Sequence, residues 1–182
     1  MQRAIVVPPA PAPEALAELK QWLAITGARE DALLERLLGA AFDLCEGFTG
    51  QMPLEATYEE VLSAGDRRQW LATRPIQAVV AVESIPADGA RFALPSDAYM
   101  LELDPDGGAR VRVTSPGAAG RIAVRFVAGL APSWADLPES LRHGVIRLAA
   151  HQHRARDSDT AGPVPPAAVT ALWRPWRRVR LT

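Results

Sequence analysis

The spacing of apolar residues changes along the chain and predicts helices at both ends with strands between them. From residue 14 to residue 50, apolar side chains return every three or four positions, which is the spacing of one helix face. Pro13 suits the first turn of a helix near 14–25, and a longer stripe predicts a second helix near 30–47. The two stripes consist of Leu16, Leu19 and Leu23, and of Leu33, Leu34, Leu37, Leu38, Ala41 and Cys45. A short link joins them, so we predict a helical hairpin over 14–50.

Between residues 56 and 128 the period shortens to two, which is typical of strands with one buried face. Turn sequences such as Asp88-Gly89 and Ser115-Pro116-Gly117 separate the runs. The connections are too short for crossover helices, so we predict a small antiparallel β-sheet over 56–128. Helical spacing returns over 137–155, where Pro138 fits the first turn of a third long helix.

The two ends of the chain and one long connection differ from this body. Residues 1–13 contain four prolines and predict an extended polyproline arm rather than a packed element. Residues 156–168 predict a loop, and 169–182 form a basic tail of tryptophan and arginine, which follows a short helix and which Pro175 should keep extended. The fold class is therefore α+β in a single domain. The helical hairpin and the C-terminal helix form its body, and the sheet is inserted between them.

Length and composition exclude several classes of protein. With 182 residues, of which 48% are apolar and 23% charged, the chain can bury a core without disulfides or metal ions. Cys45 is its only cysteine, which excludes an intrachain disulfide and a cysteine-based zinc site. No run approaches the roughly 18 apolar residues that span a membrane, so we expect a soluble protein in a reducing compartment, without membrane association.

The net charge of −1 hides a separation of charge along the chain. Residues 1–140 contain 12 Lys or Arg against 19 Asp or Glu, a balance of −7. Residues 141–182 contain 8 Arg against only two acidic residues, Asp157 and Asp159, a balance of +6. The body is acidic and the C-terminal extension is basic, which suits contact with an acidic partner or with nucleic acid.

No set of residues has the spacing that catalysis or metal binding requires. His151 and His153 are two positions apart, and on a helix they point about 200° away from each other, so they cannot share one ion. No serine lies in a Gly-x-Ser-x-Gly turn, and Cys45 lies on an apolar stripe where a buried thiol is expected. We therefore predict no catalytic residues, no cofactor and no metal site.

The basic tail is the most specific candidate site. It combines tryptophan with arginine, two residue types that are enriched in binding hot spots. Its members are Trp173, Arg174, Trp176, Arg177, Arg178 and Arg180. Three interpretations stay open: the tail folds back on its own body, binds nucleic acid through its clustered arginines, or docks on a partner protein.

Arginines at outward positions of the predicted sheet form a second candidate site. They are Arg110, Arg112, Arg121 and Arg125. One interpretation is a solvated face in which arginines pair with residues across the strands, such as Glu102. The other is a face that lines a DNA channel or contacts a negatively charged neighbouring subunit.

Several segments, taken in order, resemble one known family. The first contains Asp31-Ala32-Leu33-Leu34 at the start of a helix and ends in Phe48-Thr49-Gly50. The matching segments are 16–50, 74–85, 94–101 and 124–156. Together they resemble head–tail connector (adaptor) proteins of tailed phages and phage-derived gene-transfer particles. The similarity spans about residues 14–156 and leaves the arm at 1–13 and the loop at 156–168 without a counterpart.

The resemblance implies a structural role without enzymatic activity or cofactor. Such proteins form a ring, usually of twelve subunits, between the portal protein and the next tail or stopper protein. DNA passes through the central channel without sequence-specific binding. The C-terminal segment commonly reaches onto the portal, a role that suits the six tail residues. The implied location is the head–tail junction of a virion or phage-like particle, after assembly in the bacterial cytoplasm.

The alternative function is that of a DNA-binding accessory protein, which would use the Arg-rich tail and the arginines of the sheet. Its affinity for DNA would fall steeply with salt, because each phosphate contact releases counterions. A connector would bind free duplex DNA only weakly.

Overall fold

The computed structural model describes residues 2–9, 12–115, 120–155 and 165–178. The chain forms two compact units, each assembled from two separate stretches of sequence. A strand unit comprises Met1–Pro9 and Glu55–Gly129, and a helical unit comprises Ala10–Leu54 and Leu130–Thr182. The predicted α+β fold class is confirmed.

The helical unit contains helices α1 (Pro13–Leu23), α2 (Asp31–Thr49), α3 (Glu139–Ala155) and α4 (Ala167–Trp173). The first three begin and end within two residues of the bounds that the apolar stripes predict. Their stripes form one core with α4. Its fully buried members include Leu19, Leu34, Ala41, Cys45, Leu141, Val145 and Trp173.

In the described residues of the strand unit, eight strands form two antiparallel sheets. The strands are β1 (Gln2–Val7), β2 (Ala56–Ser63), β3 (Gln69–Trp70), β4 (Ile76–Ile85), β5 (Phe92–Ala93), β6 (Tyr99–Leu103), β7 (Ala109–Val113) and β8 (Arg121–Ala128). The five-stranded sheet has the order β1-β2-β8-β4-β5, and the three-stranded sheet has the order β3-β7-β6. The strands are antiparallel as predicted but belong to two sheets rather than one, because β3, β7 and β6 pair with one another and not with the described strands of the larger sheet.

The predicted polyproline arm is wrong for its first half, since Gln2–Val7 forms β1 and pairs with β2. The prolines begin only at Pro8, and the preceding Ile5-Val6-Val7 run consists of β-branched residues that favour a strand. At the other end of the helical unit, most of the predicted loop lies outside the described residues, and its last two residues already belong to α4.

A buried carboxylate holds the connection between β3 and β4 against β2. Glu60 has no exposed surface, yet its two oxygens accept three hydrogen bonds. The backbone N–H of Ala72 donates to Oε2 at 2.9 Å, and the N–H and hydroxyl of Thr73 donate to Oε1 at 2.9 and 2.7 Å. A buried carboxylate is tolerated only when it is hydrogen-bonded, so Glu60 and this connection stabilise each other.

We predict that Glu60→Ala lowers the stability of the strand unit by about 3 kcal/mol, because buried donors lose their acceptors. Hydrogen exchange measured by mass spectrometry should show the loss in peptides from 55–129. Glu102→Ala is the matched control, since its carboxylate forms only surface ion pairs, worth about 1 kcal/mol or less. Equal effects of the two substitutions would contradict the role of Glu60.

Candidate functional site

Helix α4 brings the basic tail to the helical unit and holds it there. Its buried residues Val169 and Trp173 pack into the core that α2 and α3 share. The indole Nε1 of Trp173 donates to the backbone oxygen of Leu141 at 3.4 Å, and its ring lies 6.0 Å from the ring of Phe48, centroid to centroid. Trp173 is fully buried. It therefore belongs to the core of the helical unit.

The space for Trp173 is made by the absence of a side chain at Gly144 on α3. A β-carbon added at Gly144 would overlap Nε1 of Trp173 and lie 2.8 Å from both Cδ1 and Cε2. The indole thus lies directly against the backbone of α3, which fixes the position of α4 and of the residues after it.

After Trp173 the chain makes a short 3-10 turn, Arg174–Trp176, and stays attached to the helical unit. The half-buried Trp176 donates from Nε1 to the hydroxyl of Ser140 at 2.8 Å, and its backbone oxygen accepts from Nε2 of Gln51 at 2.5 Å. Pro175 does not force an extended chain here, because proline is tolerated in the first turn of a helix. The tail becomes extended only at Arg177.

The end of α2 supplies the last attachment point. A helix leaves its final carbonyl groups without partners inside the helix. At the end of α2, the backbone N–H of Arg178 donates to the carbonyl of Thr49 at 2.8 Å and so satisfies one of them. Arg177 lies above the ring of Phe48, with Cζ 5.6 Å from the centroid. Positive charge is also favourable at this helix end, because the macrodipole is negative there. We call Arg174–Trp176 with Arg177 and Arg178 the clamped tail.

The clamped tail presents its arginines to solvent. Arg174, Arg177 and Arg178 are exposed, and none of their guanidinium groups forms an ion pair with another described residue. Arg180 lies outside the described residues. The structure therefore brings five of the six predicted tail residues to one place, with one tryptophan buried, the other half-buried and three arginines exposed.

The four sheet arginines do not form one row, because Arg110 and Arg112 lie on β7 and the other two lie on β8 of the other sheet. Arg110 hydrogen-bonds to Asp104 at 2.9 Å and pairs with Glu102 across the strands at 3.6 Å. The hydrogen bond to Asp104 raises the pKa of Arg110. Arg112 bonds to Asp66 at 2.6 Å, which lowers the pKa of that carboxyl.

On β8, Arg125 lies 3.5 Å from a carboxylate oxygen of Glu59 and 4.0 Å from one of Glu83. Arg121 is exposed and has no ion pair within the described part of the chain. The cross-strand pairing with Glu102 that the sequence suggests is therefore present. Three of the four sheet arginines are compensated by carboxylates of the same chain.

The remaining candidate residues do not converge on a chemical site. His153 contacts Glu30 at 2.7 Å and His151 is exposed. Among the described residues, no three His, Cys, Asp or Glu side chains are grouped closely enough to hold a metal ion. Within the same residues, none of the helices is both long and apolar enough to cross a membrane.

The residues that hold the tail were not identified from the sequence. Gly144, Ser140 and Gln51 act only through their position against the two tryptophans. No spacing or motif distinguishes them. Phe48 and Thr49 do belong to a recognisable segment, the Phe-Thr-Gly ending of α2, which places them at the point where the tail attaches.

Comparisons with known proteins give full-length matches among solved structures. The sequence matches no protein-family model and no curated protein. A chain in the neck of an empty gene transfer agent (GTA) particle, computed with C6 symmetry, is 29% identical with a TM-score of 0.80. Chains of the native GTA virion and of the native GTA neck computed with C12 symmetry are each 30% identical, with TM-scores of 0.76 and 0.77. Each alignment covers 100% of this chain and 98% of the other.

We predict that Gly144→Ala lowers the free energy of unfolding by about 2 kcal/mol, because the added methyl group overlaps Trp173 in a packed core. Gly39→Ala on α2 is the matched control. Apart from its chain neighbours and the nearby backbone of its own helix, no described atom lies within 4 Å of the added methyl group, and alanine favours a helix by roughly 1 kcal/mol over glycine, so stability should rise. Urea unfolding followed by tryptophan fluorescence measures both. A stable Gly144→Ala protein would contradict the packing described for Trp173.

We also predict that Cys45 resists alkylation at pH 8 in the folded protein. Burial, with a smaller contribution from the charge of Glu46, raises the pKa of the Cys45 thiol to about 12. The reactive thiolate is then about one part in ten thousand at pH 8. Maleimide labelling followed by mass spectrometry should be complete in urea and negligible in buffer. Similar rates in both would show that the thiol is accessible.

Proposed function

Because the chain belongs to the head–tail connector family, whose members are found in the necks of gene transfer agent particles, we propose that it is the ring-forming adaptor at the head–tail junction of such a particle. The family and its location rest on matches that span the whole chain at 30% identity. The adaptor would join the portal protein to the next tail or stopper protein without catalysing a reaction.

Cyclic symmetry in the related particles supports a ring. The related necks were computed with C6 and C12 symmetry, and we propose that twelve copies of this chain form a closed ring. A heterologous contact, in which one surface of a subunit meets a different surface of the next, gives such a ring when the rotation closes.

The exposed arginines of the clamped tail are the observation that supports portal binding. Its three exposed arginines have no carboxylate partner among the described residues. Guanidinium groups form strong paired hydrogen bonds with carboxylates, so acidic grooves of a portal are suitable acceptors. The clamp also lowers the cost of binding, because a segment that is already ordered loses less conformational entropy on contact.

The sheet arginines support passage of DNA better than capture of DNA. Tight binding to duplex DNA requires arginines that neutralise phosphates, and most of these side chains are already neutralised by carboxylates. A channel wall with compensated charge would let DNA slide through. We therefore favour the adaptor over the DNA-binding accessory protein.

We predict that the triple substitution of Arg174, Arg177 and Arg178 to alanine abolishes co-purification with the portal protein while the fold is kept. The matched control replaces Arg29, Arg36 and Arg147, three exposed arginines of the same helical unit, and should bind normally. A second variant ends at Trp176, which removes the last arginines but keeps both tryptophans. Removal of the chain from Trp173 onward would not be informative, because it would also remove a core residue.

The outcomes separate the two functions. If the tail variant retains the portal as well as the control does, the clamped tail is not the anchor. If wild type and the control variant both fail to bind the portal, and wild type binds duplex DNA with a steep salt dependence, the DNA-binding function replaces the adaptor.

A further inference from the structure

The five-stranded sheet has an open edge at each end, and the two edges belong to different strands. At one end, β1 pairs with β2 on one side, and no other strand of the described residues pairs with it. At the other end, β4 has ten residues, but β5 covers only Glu83 and Ser84 of them. Within the described residues no strand pairs with the remaining stretch of β4, around residues 77–81. Each edge thus presents backbone groups that a further strand could bind.

Both edges are apolar where they are open. On β1, Ile5, Val6 and Val7 expose 54%, 43% and 54% of their surface, and on β4 Val80 exposes 60%. Adjacent residues of a strand point to opposite faces, so β1 is apolar on both faces. Natural sheets commonly protect open edges with charges, and an unprotected apolar edge promotes aggregation. The exposure of these apolar side chains is explained if another strand covers them in the assembled particle.

The lengths of the two open edges are similar. Strand β1 has six residues, and the open stretch of β4 around residues 77–81 has five, because β5 pairs with Glu83 and Ser84 and the backbone N–H of Leu94 donates to the oxygen of Val82. The short β5 therefore blocks one half of the edge and leaves a stretch that a strand of the length of β1 can occupy.

The directions of the two edge strands are also compatible with the rotational symmetry of a ring. The pairs β1–β2, β2–β8 and β8–β4 are all antiparallel, so β1 and β4 run in opposite directions. A rotation about an axis roughly parallel to the strands preserves the direction of β1 from one copy to the next. The β1 of one copy then meets the β4 of its neighbour antiparallel, which is the more stable pairing. Because the edges differ, the contact is heterologous, as a ring requires.

We propose that β1 of each subunit pairs with the open stretch of β4 in a second copy of this chain, so that the five-stranded sheets continue from subunit to subunit. This inference rests on the proposed ring. It assigns the intersubunit contact to the strand unit, whereas portal binding is assigned to the clamped tail of the helical unit.

Cysteine cross-linking tests the contact directly. The native Cys45 is buried, so cysteines introduced at Ile5 and Val80 would be the only reactive thiols. The full-length Ile5→Cys/Val80→Cys variant, mixed with portal protein and treated with a short bismaleimide, should form a ladder of covalent oligomers. We expect about tenfold more product than in either single-cysteine variant, because pairing raises the effective concentration of the two thiols.

Each other cross-linking outcome overturns the proposal. A covalent dimer from Ile5→Cys alone would show that two β1 strands pair with each other in a symmetric contact. A ladder no stronger in the double variant than in the single variants would show that the two edges do not meet.

Charge on the open edge gives an independent test. Val80→Lys should prevent ring formation, since a lysine on an edge opposes strand pairing, while Val80→Thr keeps a β-branched side chain and should assemble normally. Native mass spectrometry or electron microscopy of the portal complex reports the number of copies. If Val80→Lys still forms closed rings, the proposed contact is wrong. Portal capture by Val80→Lys without rings would support it, whereas loss of portal binding by wild type would instead reject the adaptor function.

Discussion

The contact between Trp173 and Gly144 is the constraint on which the C-terminal part of the molecule depends. A fully buried indole lies against the backbone of α3, where any side chain at Gly144 would overlap it. This contact places α4, and α4 places the turn that follows. The bonds of Trp176 to Ser140 and Gln51 and of Arg178 to Thr49 can form only because the chain already leaves the core at that point. Packing in the core thus fixes the position of the exposed arginines of the clamped tail.

The two residue types of the tail consequently have different roles. Tryptophan supplies apolar area that attaches the segment to its own subunit, and arginine supplies charge that remains in solvent. The sequence left open whether the tail folds back or docks on a partner, and these alternatives are compatible. A segment that folds back as far as Arg178 presents its arginines at a defined position, which lowers the entropy lost when a partner binds.

Sequence patterns predict the elements that are determined by the spacing of their own residues. They miss the elements that depend on contacts with residues far away in the sequence. In α1, α2 and α3 the apolar residues recur every three or four positions, so the bounds of these helices follow closely from the sequence. Strand β1 was missed because Pro8 and Pro9 dominate the composition of its segment and because its pairing partner β2 lies 50 or more residues further along the chain. The burial of Trp173 depends on a glycine 29 positions earlier, which no periodicity connects to it.

The charge asymmetry along the chain acquires a structural meaning from the ion pairs. In the strand unit, the basic side chains Arg110, Arg112 and Arg125 each pair with a carboxylate, so these arginines contribute little uncompensated positive charge. In the clamped tail no such carboxylate is present among the described residues. Exposed ion pairs add little stability, but they cancel the local field that would attract phosphates. A partner that carries carboxylates would therefore gain most by binding at these uncompensated arginines, because guanidinium groups form directional, paired hydrogen bonds with carboxylates.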